Sequence, residues 1–233
     1  MSTVRSSPES AYLGASGEAY HSGKRAVPGA ALPWLIRVRA ALFEPHIRPE
    51  HEVIEFGCGY GWNLGGLRCR RRVGHDIAPQ LRPEVEALGV EFVASTGSLG
   101  DGSFDVAISH HSLEHVPEPG RVLAELHRLL KPGGCLLLAV PWERERRYRR
   151  YDPSEPNHHL YSWNPQTLGN LVAGSGFEGV QVGARRYGYD RRAALVAVRW
   201  GLGEAGFRGV RWALQRMVPL WEVVLEARRV AQQ

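Results

Sequence analysis

The chain has 233 residues, with 29 Lys and Arg against 24 Asp and Glu, a formal net charge of +5. That length suits one domain with at most an appendage, and 43% hydrophobic with 23% charged residues is ordinary globular usage, which excludes wholesale disorder, collagen and coiled coil. The longest uncharged apolar run, residues 135–142, is far short of the roughly 20 residues a membrane helix needs, and residues 1–25 are too polar for a signal peptide, so a soluble cytoplasmic protein is expected.

Residues 1–28 are punctuated by Ser, Gly and Pro and read as a flexible leader or lid; residues 29–233 read as a single domain. Leu32, Leu35, Ile36, Val38, Leu42 and Phe43 give a helical stripe ahead of the first strand. Strands are expected at residues 53–56, 72–77, 90–94, 104–109, 135–140, 179–182 and 222–227. Between the fourth and fifth, Val122, Leu123, Leu126, Leu129 and Leu130 form an amphipathic helix stopped at Lys131, Pro132 and Gly133. Leu168, Leu171 and Val172 form another, stopped at Gly174 and Gly176. Alternating strands and helices imply βαβ units and a doubly wound parallel sheet. A basic helical stretch at residues 190–217, with Trp200 and Trp212, reads as an insertion in a terminal hairpin.

Three cysteines, Cys58, Cys69 and Cys135, lack the CxxC spacing of a zinc knuckle or redox pair. Lysine occurs only at 24 and 131, leaving 27 arginines. Arginine recognises carboxylate and phosphate bidentately, so a small, anionic acceptor is one reading and genomic base composition the plainer one. The charge excess does not call for nucleic acid.

Glu55, Gly57, Cys58, Gly59 and Gly61 lie where the first strand turns, a place for bare backbone to approach a ligand or simply for a tight turn. Asp76 ends the second strand 19 residues beyond Gly57, where a carboxylate can accept from ribose hydroxyls. A dinucleotide fingerprint needs glycine at position 62, and Trp62 stands there, which disfavours NAD.

With residues 53–61, 73–79, 104–116 and 129–141 in this order, the chain resembles the class I S-adenosylmethionine-dependent methyltransferases over roughly residues 30–185, most nearly the type 11 and ubiquinone O-methyltransferase kind. The resemblance implies an α/β, Rossmann-like, doubly wound seven-stranded sheet with a reversed terminal hairpin, here carrying the helical insertion. It implies S-adenosylmethionine as cofactor, with its methionine part over Gly57, Cys58, Gly59 and Gly61, its ribose on Asp76 and its adenine against Ile77. Where the family usually has an adenine-binding Asp, this chain has Ser95 and Thr96, with Leu99 as a second adenine contact.

The second informative segment, His110-His111-Ser112-Leu113-Glu114-His115, follows the fourth strand at the ligand edge of such a sheet. Four readings stand. His111 to His115 matches the HxxEH of an inverted zinc peptidase if helical. The stretch also resembles the ExxEH of ubiquinone and small-RNA O-methyltransferases, which implies a divalent ion on His111, Glu114 and His115. A histidine, His111 first and His115 after it, can be the general base for an acceptor hydroxyl. Glu114 and His115 can instead tie the strand to the next loop, while His110 lines the cofactor.

On the acceptor side, Arg144, Arg146, Arg147, Arg149 and Arg150 with Tyr148 and Tyr151 form either a solvated face or an anion-holding lid. His158, His159 and Tyr161 are candidate substrate contacts, His159 also a catalytic one, with Asn164 a candidate helix cap. Tyr20 is a further candidate substrate contact and, with His21 and Arg25, a candidate cover over the pocket. The expectation is methyl transfer to a hydroxyl of a sugar, lipid or secondary metabolite; the rivals are a zinc hydrolase and a non-catalytic Rossmann-like binding module.

Overall fold

A computed structural model of the chain describes residues 12–143, 150–152, 155 and 157–231. Its strands are β1 (Glu52–Phe56), β2 (Arg71–His75), β3 (Glu91–Val93), β4 (Phe104–His110), β5 (Leu130–Pro141), β6 (Phe177–Tyr187) and β7 (Leu220–Arg229). They form one sheet in the order β3-β2-β1-β4-β5-β7-β6. The first five run parallel, and β7 is antiparallel to both β5 and β6. The strand order reverses between β1 and β4, and ligands of such sheets sit in the crevice this reversal opens at the carboxyl ends.

Side-chain alternation divides the core between the two faces of the sheet. Ile54, Ala107, Leu136, Leu138 and Val140 pack on one face with Leu123, Leu126 and Leu129 of α4 (Pro119–Leu129) and Leu168 and Val172 of α5 (Pro165–Ala173). Val53, Val106, Ile108 and Leu137 pack on the other with Ala40 of α2 (Leu32–Ala40) and Val85 of α3 (Arg82–Glu86). Helix α4 presents its three fully buried leucines three residues apart, each burial stabilising the fold by about 1.5–3 kcal/mol. It ends before Pro132, which cannot continue it. Helix α5 opens with a capping box, in which Asn164 Oδ1 accepts from the Thr167 N–H at 3.0 Å and Thr167 Oγ1 from the Asn164 N–H at 3.1 Å.

Three features differ from the sequence expectations. First, residues 14–25 form a helix, α1, in the stretch whose composition suggested an unpacked leader, and Tyr12 and His21 are buried. Second, the crossover from β1 to β2 contains no regular helix, only the helical bond from the Gly65 N–H to the Gly61 carbonyl at 2.8 Å. Third, β6 and β7 are 11 and 10 residues long, well beyond residues 179–182 and 222–227. Strand β6 is a largely exposed edge, so no hydrophobic alternation reports its length. Between β6 and β7 the insertion folds as α6 (Asp190–Arg199) and α7 (Gly203–Met217), whose Ala193, Ala194, Ala197 and Phe207 pack with Ala31 and Val38 as a third small core.

Candidate active site

The turn after β1 is built so that backbone, not side chains, faces the crevice. Gly57 has φ +72°, and a Cβ there would lie 2.4 Å from Ser112 Cβ, so no other residue fits. The Gly57 and Cys58 N–H groups both donate to the His75 carbonyl, at 2.8 and 2.9 Å, fastening the turn to the end of β2. Ser112 Oγ donates to the Phe56 carbonyl at 2.9 Å, fastening it to the loop after β4.

Beside this turn opens a cavity of about 690 Å³, in the range that holds a ligand of cofactor size. Of the candidate site residues named from the sequence, His21, Gly57, Cys58, Gly59, Asp76, Ile77, His110, His111 and His115 line it. Asp76 is 8% exposed; its Oδ2 accepts from the Gly59 N–H at 2.8 Å and its Oδ1 from the Ala78 N–H at 3.0 Å. The carboxylate is thereby fixed in direction, with lone pairs remaining on both oxygens for a ligand's hydroxyls. Behind the glycines Glu55 is fully buried, and burial pushes its carboxyl up to about 8 against a hydrogen bond from Asn63 Nδ2. Asn63 lines the cavity and was not foreseen, and its Oδ1, like Glu55 Oε2, has no hydrogen-bond partner among the described residues. Burial likewise pushes the Cys58 thiol well up, so it stays neutral.

The opposite wall centres on Glu222, which the sequence reading did not single out. Strand β7 lies beside β5, setting Glu222 opposite Pro141 and, on the other side, Arg185. Only 1% exposed, it meets His111 Nε2 at 2.7 Å and His110 Nε2 at 3.5 Å, and accepts from Arg185 Nε. Burial alone opposes its ionisation, but the hydrogen bonds from the two histidines hold it far below the usual carboxylate range. Burial pushes the His110 imidazole down, keeping that ring neutral. His111 caps β4 with φ +54°, a strained conformation for a residue with a side chain, and its N–H is held by the Ala139 carbonyl at 2.8 Å. The one available signal for Glu222 was a carboxylate inside an apolar strand, a placement tolerated only when the charge is paired.

A second polar group forms where the 3₁₀ turn Leu113–His115 meets residues 157–163. His115 Nε2 lies 3.7 Å and His159 Nε2 4.0 Å from Glu114 Oε1, and His159 Nδ1 is 2.7 Å from Glu143 Oε1. The donor atoms of Glu114, His115 and His159 all lie within 4.8 Å of one another. Tyr12 joins them, its hydroxyl 2.8 Å from His115 Nδ1 and donating to the Asn157 carbonyl at 2.9 Å. His111, Glu114 and His115 are not brought together as one donor set: His111 turns to Glu222, and it is His159 whose donor atoms approach those of Glu114 and His115. The zinc-peptidase reading is corrected too, because the left-handed His111 and the 3₁₀ turn break the helix that would put His111 and His115 on one face.

Among the described candidates, Gly61, Ser95, Thr96, Leu99, His158 and Tyr161 stand away from the cavity lining. The Ser95 side chain accepts from the Gly97 N–H, Arg128 holds the Thr96 and Leu99 carbonyls, and the Leu99 side chain is in the core. Gly61, at φ +70°, packs against Val85 behind the turn. Tyr161 donates to the Pro117 carbonyl at 2.7 Å, and the His158 N–H to Glu155 Oε2 at 2.8 Å. Tyr20 lies on α1, but its side chain is outside the described residues, as are Arg144, Arg146, Arg147, Tyr148 and Arg149 of the basic run.

A family model described as methyltransferase domain matches residues 30–182. The chain belongs to the class I S-adenosylmethionine-dependent methyltransferases. Over 167 residues it is 28% identical to a probable S-adenosylmethionine-dependent methyltransferase of Mycolicibacterium smegmatis, covering 67% of this chain and 65% of that one. Over 105 residues it is 36% identical to a ubiquinone biosynthesis O-methyltransferase of Xanthomonas oryzae pv. oryzae, covering 38% and 42%. An uncharacterized 37.1 kDa protein of a Streptomyces fradiae transposon is 36% identical over 110 residues, 41% of this chain and 32% of that one. The chain thus spans about a third to two thirds of the length of these curated relatives. Among solved structures, an S-adenosylmethionine-dependent methyltransferase from Thermotoga maritima superposes with a TM-score of 0.61 at 19% identity, covering 91% of this chain and 95% of that one. The cyclase SpnF does so at 0.60 and 19%, covering 84% and 81%. These likenesses are of fold, and the second shows that the fold alone does not dictate methyl transfer.

The residues present fit S-adenosylmethionine. A glycine cradle that a Cβ would fill, a carboxylate aimed by two backbone amides and a buried Asn63 oxygen with acceptor capacity line one end of a cavity of adequate size. The described residues contain no helix long and apolar enough to cross a membrane.

Proposed function

We propose that this chain transfers a methyl group to a hydroxyl oxygen of a small-molecule acceptor, with His111 taking the hydroxyl proton. The observation that carries the reading is the pairing of His111 Nε2 with an ionised, buried Glu222 at the cavity wall, 2.7 Å apart. When bound, S-adenosylmethionine supplies a sulfonium-activated methyl group, so the leaving group needs no protein acid. Asp76 accepts from the ribose hydroxyls, Gly57 to Gly59 admit the methionine part to bare backbone, and Asn63 accepts from its ammonium group. Holding the two partners together contributes most of the acceleration. Because Glu222 accepts from Nε2–H, Nδ1 is the basic nitrogen of His111, and the imidazolium formed by proton transfer is stabilised by the same carboxylate. The matches to ubiquinone biosynthesis and malonyl-acyl-carrier-protein O-methyltransferases support oxygen as the acceptor atom.

The test is transfer from methyl-labelled S-adenosylmethionine to a panel of phenols, sugars and lipid alcohols, with the product's methylated atom assigned by NMR. An oxygen-methylated product, and turnover lowered by His111→Ala with cofactor affinity unchanged, support the reading. A nitrogen-methylated product, or full turnover in His111→Ala, removes it.

A second reading keeps this chemistry and adds a divalent cation on Glu114, His115 and His159, favoured by the approach of their donor atoms. With Tyr12 donating to Asn157, His115 Nδ1 bears the proton, and its Nε2 lone pair faces Glu114, an arrangement a cation relieves. Metal analysis and turnover after chelation decide it. Unchanged turnover of metal-free protein rejects the cation.

A further inference from the structure

The α6–α7 insertion has two apolar surfaces, and only one of them is used. Its inner surface, Ala193, Ala194, Ala197 and Phe207, is consumed by the small core against α2. Facing outward are Trp200 at 71% exposure and Leu202 in the turn between the helices, Trp212 at 60% on α7, and Met217 and Val218 at its end. Singly exposed apolar residues are ordinary, but two tryptophans and a methionine exposed on one 29-residue insert, beyond what its packing needs, are not.

The charge of the same segment is one-sided. Residues 190–218 contain six arginines and two acids. Both acids are already engaged, Asp190 by Arg39 and Arg211, and Glu204 by Arg37 and Arg208. Arg191, Arg192, Arg199 and Arg216 have no acidic partner among the described residues, and all four are exposed. Arg208, Trp212 and Arg216 follow at intervals of four on one exposed face of α7, spanning about 12 Å, with the Arg216 guanidinium over the Trp212 ring at 4.8 Å. Tryptophan flanked by arginine is the chemistry of an interfacial helix: the rings enter the headgroup boundary while the guanidinium groups meet lipid phosphates.

We infer that the α6–α7 hairpin docks this enzyme on an anionic lipid surface. A second copy would set this basic surface against itself, whereas Arg199 and Arg216, without acidic partners among the described residues and beside the exposed Trp200 and Trp212, suit a surface that is both negatively charged and apolar just beneath. The hairpin also supplies Arg191 and Arg211, with Tyr189 before it, to the cavity lining, so the docked face adjoins the site. The inference stands apart from the methyl-transfer reading, since it needs only the surface.

The test is co-sedimentation of the full chain with vesicles of phosphatidylcholine alone and of phosphatidylcholine with one third phosphatidylglycerol, at low and high salt. Binding is expected only to the anionic vesicles and to weaken with salt, because exposed charges are screened. Arg199→Gln with Arg216→Gln should lower the partition coefficient about 25-fold, at a factor of about five for each arginine. Trp200→Ala with Trp212→Ala should lower it more than tenfold, from lost apolar burial. None of these residues lines the cavity, so S-adenosylmethionine affinity, measured on the same samples, should be unchanged and reports that the variants are folded. Absence of binding to anionic vesicles, or binding that both double variants retain, overturns the inference. A concentration-dependent dimer abolished by Trp200→Ala with Trp212→Ala overturns it in favour of a self-interface. Vesicle binding without S-adenosylmethionine binding would leave this inference intact and sink only the methyl-transfer reading.

Discussion

The two walls of the cavity are assembled in different ways. The cofactor wall is nearly contiguous: Gly57 and Asp76 are joined by one short crossover, and the Asp76 carboxylate is aimed by the amides of Gly59 and Ala78. The acceptor wall is gathered from across the chain, with His111 meeting Glu222 over 111 residues and Tyr12 meeting His115 over 103. Local backbone geometry therefore sets the first, and the docking of β7 and the N-terminal segment sets the second. A perturbation of the terminal hairpin should damage turnover while leaving cofactor binding in place, and a perturbation of the glycine turn should damage both.

The sharpest separation is expected from His111→Ala. Loss of a general base should lower kcat about 10²–10⁴-fold, while calorimetry finds the cofactor affinity of the wild type. Equal losses in both quantities would dissolve the distinction between the walls. The next effect is on stability and belongs to the cofactor wall. Glu55 is raised from 4.5 to about 8 in the folded chain, so the folded state holds a proton that the unfolded state has released. Stability should fall as pH rises from about 4.5 to about 8, by up to a few kcal/mol, and urea denaturation of Glu55→Gln should lack that slope. A wild type as stable at pH 8 as at pH 5 contradicts the assignment.

Gly57→Ala combines a left-handed backbone with a collision against Ser112, and should cost about 2–4 kcal/mol in the same denaturation assay. A smaller loss would show that the loop after β4 yields. Glu222→Gln keeps the shape of the acceptor wall but removes its charge. A charge-assisted hydrogen bond is worth about 1.5–3 kcal/mol, so kcat should fall roughly 10- to 150-fold with little change in cofactor affinity. Unchanged kcat would reduce Glu222 to a packing role.

The same contrast explains what could be read from the residues alone. The glycine turn, Asp76 and the leucine stripe of α4 are local patterns whose chemistry is complete within some 20 residues. The doubly wound parallel sheet followed from the alternation of strands and helices, and its seven strands and reversed terminal hairpin from the family resemblance. Glu222 was not legible, because its role depends on β7 lying next to β5, which no local pattern encodes. His159 was assigned to the acceptor but not to Glu114 and His115, for the same reason. Helix α1 was missed because its Gly and Ser content argues against helix. Ser95 and Thr96 were carried over as adenine contacts by position in the motif order, yet the short loop that holds them is tied to Arg128 and lies off the cavity lining.

Calorimetric titration with S-adenosylmethionine and with S-adenosylhomocysteine, on the wild type and on Asp76→Ala, tests the cofactor wall most directly. Saturable 1:1 binding of both is expected, weakened about 5- to 150-fold in the variant, from loss of about 1–3 kcal/mol of ribose hydrogen bonding. No saturable binding to the wild type, or binding that Asp76→Ala leaves untouched, would contradict the assignment of this cavity.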